Sequence, residues 1–62
     1  SDEFLGRVHV RLAFAQHNQG KRDYANEHYA AGINLLRSGL GADHHEVAHA
    51  LMNQAEASAL PP

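Results

Sequence analysis

Glycines divide this chain before anything else does. Gly20 and the pair Gly39 and Gly41 cut 62 residues into three stretches, each long enough for a helix and none long enough for a crossover unit. Glycine enters the left-handed backbone region without penalty, so it commonly closes a helix. Within each stretch apolar residues recur at three- and four-residue intervals, and nowhere does a useful length alternate with period two. The sequence therefore predicts an all-α fold. Three antiparallel helices, over about 2–19, 21–38 and 43–60, form one domain spanning 1–60, and Pro61-Pro62 reads as a boundary or the start of a linker.

Local signals refine those bounds. Ser1-Asp2-Glu3 supplies an N-cap and early acidic residues, and Leu5, Val8, Leu12 and Ala15 follow at helical spacing as the expected inward face. Asn18-Gln19-Gly20 ends that helix. The second helix places Tyr24, Ala25, His28, Ala31, Gly32, Leu35 and Leu36 on one broad face, with Tyr29 and Ile33 beside it, and Gly39 and Gly41 are read as its end. For the third, Asp43 is the predicted N-cap and Glu46 its capping-box partner. Val47, Ala48, Leu51, Met52, Ala55 and Ala59 then share an arc of about 140°, the predicted inward face of an amphipathic helix.

Composition says how such helices must pack. A chain this short buries only about 60% of the surface it exposes when unfolded. It carries eleven Ala against eleven Leu, Ile and Val together, so its core depends on close approach of small residues. Absence of Cys removes disulfides and thiolate metal sites. Five basic residues scattered along a chain of net charge -2 do not make the patch that a nucleic-acid backbone requires, so no nucleic-acid partner is expected. No apolar run approaches the roughly 20 residues that cross a bilayer, so no membrane insertion is expected either. The expectation is a soluble, intracellular protein, cytoplasmic by default. Six His are the one unusual count, and mild acidification would carry the chain to net positive charge.

One motif points elsewhere. His45-Glu46-Val47-Ala48-His49 is an H-E-x-x-H, in which two His one helical turn apart can hold zinc while the Glu serves as general base. The nearest third ligand on that helix is Glu56. It lies seven residues beyond His49, about 10 Å along the axis, whereas zinc holds its ligands at about 2.0–2.2 Å. With no third ligand in reach and no strand to bind substrate, a zinc peptidase fragment is a minor alternative. The reading is of a non-enzyme without cofactor, whose metal ligands, if any, are His45 and His49.

Two segments carry a resemblance. "RLAFAQHNQGK" (residues 11–21) and "LGADHHEVA" (residues 40–48) resemble the tetratricopeptide repeats of the kinesin-light-chain type, and the likeness spans about residues 8–55. Leu12, Ala13, Gly20 and Lys21 match the first part of that pattern, Ala25, Tyr29 and Gly32 the second. Leu40, Gly41, Asp43, His44, Glu46, Val47 and Ala48 match the third. The H-E-x-x-H then arises from an ordinary repeat turn in which His45 stands where Pro is usual and His49 follows. The resemblance implies one and a half repeats, a helical hairpin plus a capping helix with Gln54 as the mark of a polar cap. So short a piece either belongs to a longer array or completes its core by association, a homodimer being one form. It also implies a protein-protein interaction scaffold with a peptide groove along helices one and three, near His9, Arg11, Gln16, His49 and Asn53. Gln16 and the Val10-Arg11 pair depart from the residues usual in that groove.

A second family shares the helix count. "HY..GINLL" in the second helix and "NQAE" in the third also look like a microtubule-interacting-and-trafficking (MIT) domain, a three-helix bundle that receives an ESCRT-type helical tail between two helices. That likeness implies a site near Tyr24, His28, Arg37 and Met52. It leaves the "LGADHHEVA" turn unexplained.

Overall fold

The structure, a computed structural model, describes residues 1–59. Its three helices are α1 (Asp2–Asn18), α2 (Arg22–Leu40) and α3 (His45–Ser58), and no strand occurs among the described residues. Leu60, Pro61 and Pro62, where the sequence places the end of the third helix and a Pro-Pro boundary, lie outside the described residues.

The helix ends follow local chemistry. Ser1 Oγ accepts the Phe4 N–H at 3.3 Å, and Asp2 and Glu3 put negative charge at the positive end of the α1 dipole. At the other end the Gln19, Gly20 and Lys21 N–H groups donate back to carbonyls of residues 15–17, which requires Gly20 at φ +80°. Two expected ends are corrected. α2 does not stop at Gly39 but runs through it to Leu40, and Gly41 at φ +95° turns the chain. The N-cap of α3 is His44, not Asp43, one residue later than the sequence suggests, and the helix starts at His45. His44 Nδ1 accepts the Glu46 N–H at 3.2 Å. The turn is closed by the His44 N–H donating to the Gly41 carbonyl, and this leaves Asp43 exposed outside the first helical turn.

Contacts at the ends give the directions. Ser38 Oγ donates to Asp2 Oδ2 at 2.8 Å and the Lys21 N–H to the Gln16 carbonyl at 2.9 Å, so α1 and α2 are antiparallel. Arg22 Nε donates to the Ala57 carbonyl at 3.2 Å and Ser58 Oγ to Asn26 Oδ1 at 3.0 Å, so α2 and α3 are antiparallel too. α1 and α3 consequently run parallel, side by side on α2.

Small residues set the distance between α1 and α2. A Cβ on Gly32 would lie 2.9 Å from the Gly6 carbonyl oxygen and 2.8 Å from a Val10 methyl. One on Gly6 would meet the Gly32 carbonyl oxygen at 3.0 Å, and one on Gly39 the Glu3 nitrogen at 2.8 Å. Backbone therefore approaches backbone where residues 3–6 of α1 meet residues 32–39 of α2, which explains a glycine inside α2. Beside the seam the core gathers Ala13 from α1, Ala25, Tyr29, Ile33 and Leu36 from α2, and Val47, Ala50 and Ala57 from α3. Each large side chain there contributes about 1.5–3 kcal/mol by burial. Tyr29 is fully buried and its hydroxyl finds no hydrogen-bond partner among the described residues. Burial pushes the Tyr29 phenol above its ordinary pKa, with the Glu56 charge a smaller cause.

The two outer helices turn other faces inward than expected, and Val47 is the one expected inward residue on them that is buried. Leu5, Val8, Leu12 and Ala15 face solvent, and the buried arc of α1 is Gly6 and Ala13 with Val10 half-buried. On α3, Ala48, Leu51, Met52, Ala55 and Ala59 are exposed, whereas Val47, Ala50 and Ala57 are buried. Gln54, the residue read as a polar cap, is half-buried on the arc of Val47 and Ala50. The reason is geometric. A seam at backbone contact admits only the small arc of α1, and the bulky arc, on the other side of a helix that offers its small face inward, stays outside.

Candidate groove between the first and third helices

Parallel helices on a common support leave a cleft where they diverge. α1 packs closely on α2 and only sparsely on α3, and the space between α1 and α3 is a groove of about 510 Å³. Arg7, Val10, Arg11 and Phe14 line it from α1; Glu46, His49, Ala50 and Asn53 from α3, with His45 at the top and Leu36 of α2 below. Both sets have the spacing of one helical stripe, i, i+3, i+4, i+7, so each helix turns a single face to the cleft. Val10, Phe14, Leu36 and Ala50 make its apolar floor. The polar side chains form the rim.

One ion pair spans the rim. Arg7 Nε donates to Glu46 Oε1 at 2.8 Å and Arg7 Nη2 to Glu46 Oε2 at 2.7 Å, a two-point clamp between the second turn of α1 and the first turn of α3. The Arg7 hydrogen bonds hold the Glu46 carboxyl at a pKa of about 2, with the Arg7, His44 and His45 charges adding to the effect, and Glu46 in turn raises that of Arg7. The pair neutralises itself, leaving Arg11, which joins no ion pair among the described residues, together with His45, His49 and the Asn53 amide. In a chain of net charge -2 the groove is thus a local cationic region.

Of the residues that the repeat resemblance assigns to a groove, Arg11, His49 and Asn53 come together here. His9 and Gln16 do not. They lie about 140–160° around α1 from Arg11, at about 100° per residue. His9 belongs to the seam with α2, its Nδ1 3.1 Å from His28 Nδ1 and the two rings stacked. Gln16 is half-buried and its Oε1 has no partner among the described residues. Val10, which the sequence names only as a departure from the residues usual in the groove, lines it; Arg7, Phe14 and Ala50 are not among the expected residues, yet a signal for the first two is present. Once Arg11 is taken as a groove residue, its neighbours on the same helical stripe are 7, 10 and 14.

The H-E-x-x-H residues share the groove wall, with Glu46 engaged at both oxygens by Arg7. A carboxylate held at a pKa of about 2 is a poor proton acceptor near neutrality, where a general base works best with a pKa close to the ambient pH. Among the described residues no group of three or more His, Asp and Glu side chains is arranged to hold a metal ion. Glu56, the candidate third ligand, is exposed and does not line the groove. The four residues implied by the MIT likeness are dispersed. Tyr24 and His28 lie on the side of α2 that carries the His9 contact, Arg37 is roughly opposite them on that helix, and Met52 is on the outward arc of α3.

No known protein family, curated protein or solved structure matches the chain. No helix among the described residues is long and apolar enough to cross a membrane.

Proposed function

We propose that this chain is a protein-protein interaction module of tetratricopeptide-like build, whose α1/α3 groove binds a short acidic segment of a partner protein. The observation that carries the reading is the groove itself, an apolar floor with a cationic and amide rim at the junction of two helices. Apolar surface with a few convergent polar groups is the usual construction of a binding site. The stripe from Arg7 to Phe14 runs about 10 Å along α1, the length of roughly three residues of extended chain. An apolar side chain of the partner rests on Val10, Phe14 and Ala50, and an adjacent Asp or Glu meets Arg11 and His49, while Asn53 hydrogen-bonds its backbone.

A fluorescence-anisotropy screen of short labelled peptides tests this. Sequences pairing Asp or Glu with Leu or Phe should bind best, and Arg11→Glu combined with Asn53→Ala should abolish the preference. Loss of one charge-assisted hydrogen bond, about 1.5–3 kcal/mol, corresponds to about a ten- to hundredfold rise in Kd. If the double variant binds the selected peptides as the parent chain does, the groove is not the binding surface.

A further inference from the structure

Midway along the α1/α2 seam two imidazoles face each other, and neither belongs to the groove. His9 Nδ1 lies 3.1 Å from His28 Nδ1, the ring centroids are 5.3 Å apart, and both side chains are half-buried. Ring nitrogens at this distance need one proton between them: in a neutral pair one Nδ1 donates and the other accepts, whichever ring holds the proton. One added proton is tolerated, since an imidazolium still donates to a neutral partner. A second is not. An imidazolium carries N–H at both nitrogens, so two of them set N–H against N–H and bring two like charges together.

No neighbouring charge offsets that repulsion. One turn either way of His9 on α1 stand Leu5, Gly6, Leu12 and Ala13, and around His28 on α2 stand Tyr24, Ala25, Ala31 and Gly32. Tyr24 is the one titratable group among them, and a phenol is uncharged in acid. The charges closest in sequence are engaged or directed elsewhere. Arg7 is held by Glu46, Arg11 lies in the groove, and Asp23 and Glu27 are exposed and join no ion pair among the described residues. α3 meets α2 at Arg22 and Asn26, about 120–160° around that helix from His28, so its charged groups do not face the pair. The rings have no room to retreat inward either, because a Cβ on Gly32 would already lie 3.1 Å from His9 Cβ. Charged rings part by swinging into solvent or by α1 lifting from α2.

We infer that the His9–His28 pair is a proton-operated latch, which joins α1 to α2 at neutral pH and opens when mild acid charges both rings. The latched fold holds at most one added proton on the pair, whereas the unfolded chain takes up two. Stability from the latch is therefore complete above about pH 6.5, where His ordinarily titrates, and is lost as pH falls below it. At pH 5 one excluded proton raises the unfolded-to-folded ratio by up to about thirtyfold. This window lies well above the one in which Glu46, at about 2, gives up its clamp. Since α1 forms one wall of the groove, opening the latch also loosens that wall.

Urea unfolding between pH 7.5 and pH 5, on the parent chain, His9→Gln, His28→Gln and His17→Gln, tests the latch. A glutamine amide can donate or accept toward the remaining imidazole in either of its charge states, so both pair variants should stay folded. By pH 5 their folded-to-unfolded ratio should have fallen less than that of the parent, by a factor of up to about thirty. His17→Gln removes a His on the last turn of α1, outside the pair, and should decline as the parent does. Protonation of His44, whose Nδ1 accepts the Glu46 N–H, is common to all four chains and cancels in the comparison. The unaltered chain gives a second readout: the nitrogen–nitrogen coupling across the His9–His28 hydrogen bond, measured by NMR in the cold, should be present at pH 7.5 and fade toward pH 5. Parallel pH profiles for the parent and both pair variants overturn the inference, as does equal flattening by His17→Gln. A coupling absent at pH 7.5, or undiminished at pH 5, overturns it too.

Discussion

Gly32→Ala is the sharpest test of the α1/α2 seam, because two physical effects predict opposite signs. Alanine in the middle of a helix is better than glycine by about 1 kcal/mol, so if helix propensity alone decided, the variant would be more stable. Here the new Cβ meets the Gly6 carbonyl oxygen at 2.9 Å, the Val10 Cγ2 at 2.8 Å and the His9 Cβ at 3.1 Å. The Val10 methyl can rotate away, but the carbonyl is backbone and cannot move without α1 moving. Restoring ordinary contact requires the helices to part by about half an ångström, and overpacking of this kind costs about 1–3 kcal/mol. With backbone on both sides the cost belongs near the upper end, and after the propensity gain a net loss of about 1–2 kcal/mol remains. In a domain of this size, where about 3–5 kcal/mol is the whole margin, that is a large fraction. It corresponds to a fall in Tm of about 5–15 °C, against a rise of about 4–8 °C from propensity alone. Thermal unfolding followed by circular dichroism at fixed concentration distinguishes the two, and a Tm equal to or above that of the parent would refute the close seam.

Three further outcomes follow from the same geometry. Glu46 has its pKa lowered from an ordinary 4.5 to about 2, so the Arg7–Glu46 clamp contributes stability that is complete above about pH 4.5 and is lost as pH falls toward 2. Urea midpoints measured across that window should decline less steeply in Glu46→Gln and in Arg7→Ala than in the parent, and equal slopes would remove the clamp from the account. Tyr29→Phe deletes a buried hydroxyl that has no partner among the described residues, and it should leave stability unchanged or raise it by about 1 kcal/mol. A clear loss on urea titration would show that the hydroxyl is paired. Tyr29→Ala, which empties the centre of the core, should cost about 3–5 kcal/mol and leave the chain largely unfolded at room temperature.

Part of the groove was legible before any coordinates. Arg11, His49 and Asn53 were assigned from a likeness to a repeat family, and they line one cleft. His9 and Gln16 were assigned with them and do not line it, His9 meeting His28 of α2 instead, because their position around α1 is set by which arc of that helix approaches α2. Glu46 shows the same limit in chemical form. Its place in an H-E-x-x-H and in a capping box could be read from the letters, whereas its actual partner, Arg7, is remote in sequence and is met only when α1 and α3 lie parallel.

Among the described residues, the sequence by itself determined the number of helices, the turn residues at Gly20 and Gly41, the cap at Ser1 and the absence of strands, since each depends on residues within a few positions of one another. Only tertiary structure decided which side of each outer helix is inside. Periodicity finds large apolar side chains and so selected Leu5, Val8 and Leu12 and the Leu51–Met52 arc, but it gives no weight to glycine. The interior was instead fixed by Gly6, Gly32, Gly39 and Ala13, whose lack of bulk allows backbones to touch. Close approach is a property of two helices together, and a pattern read along one of them does not contain it.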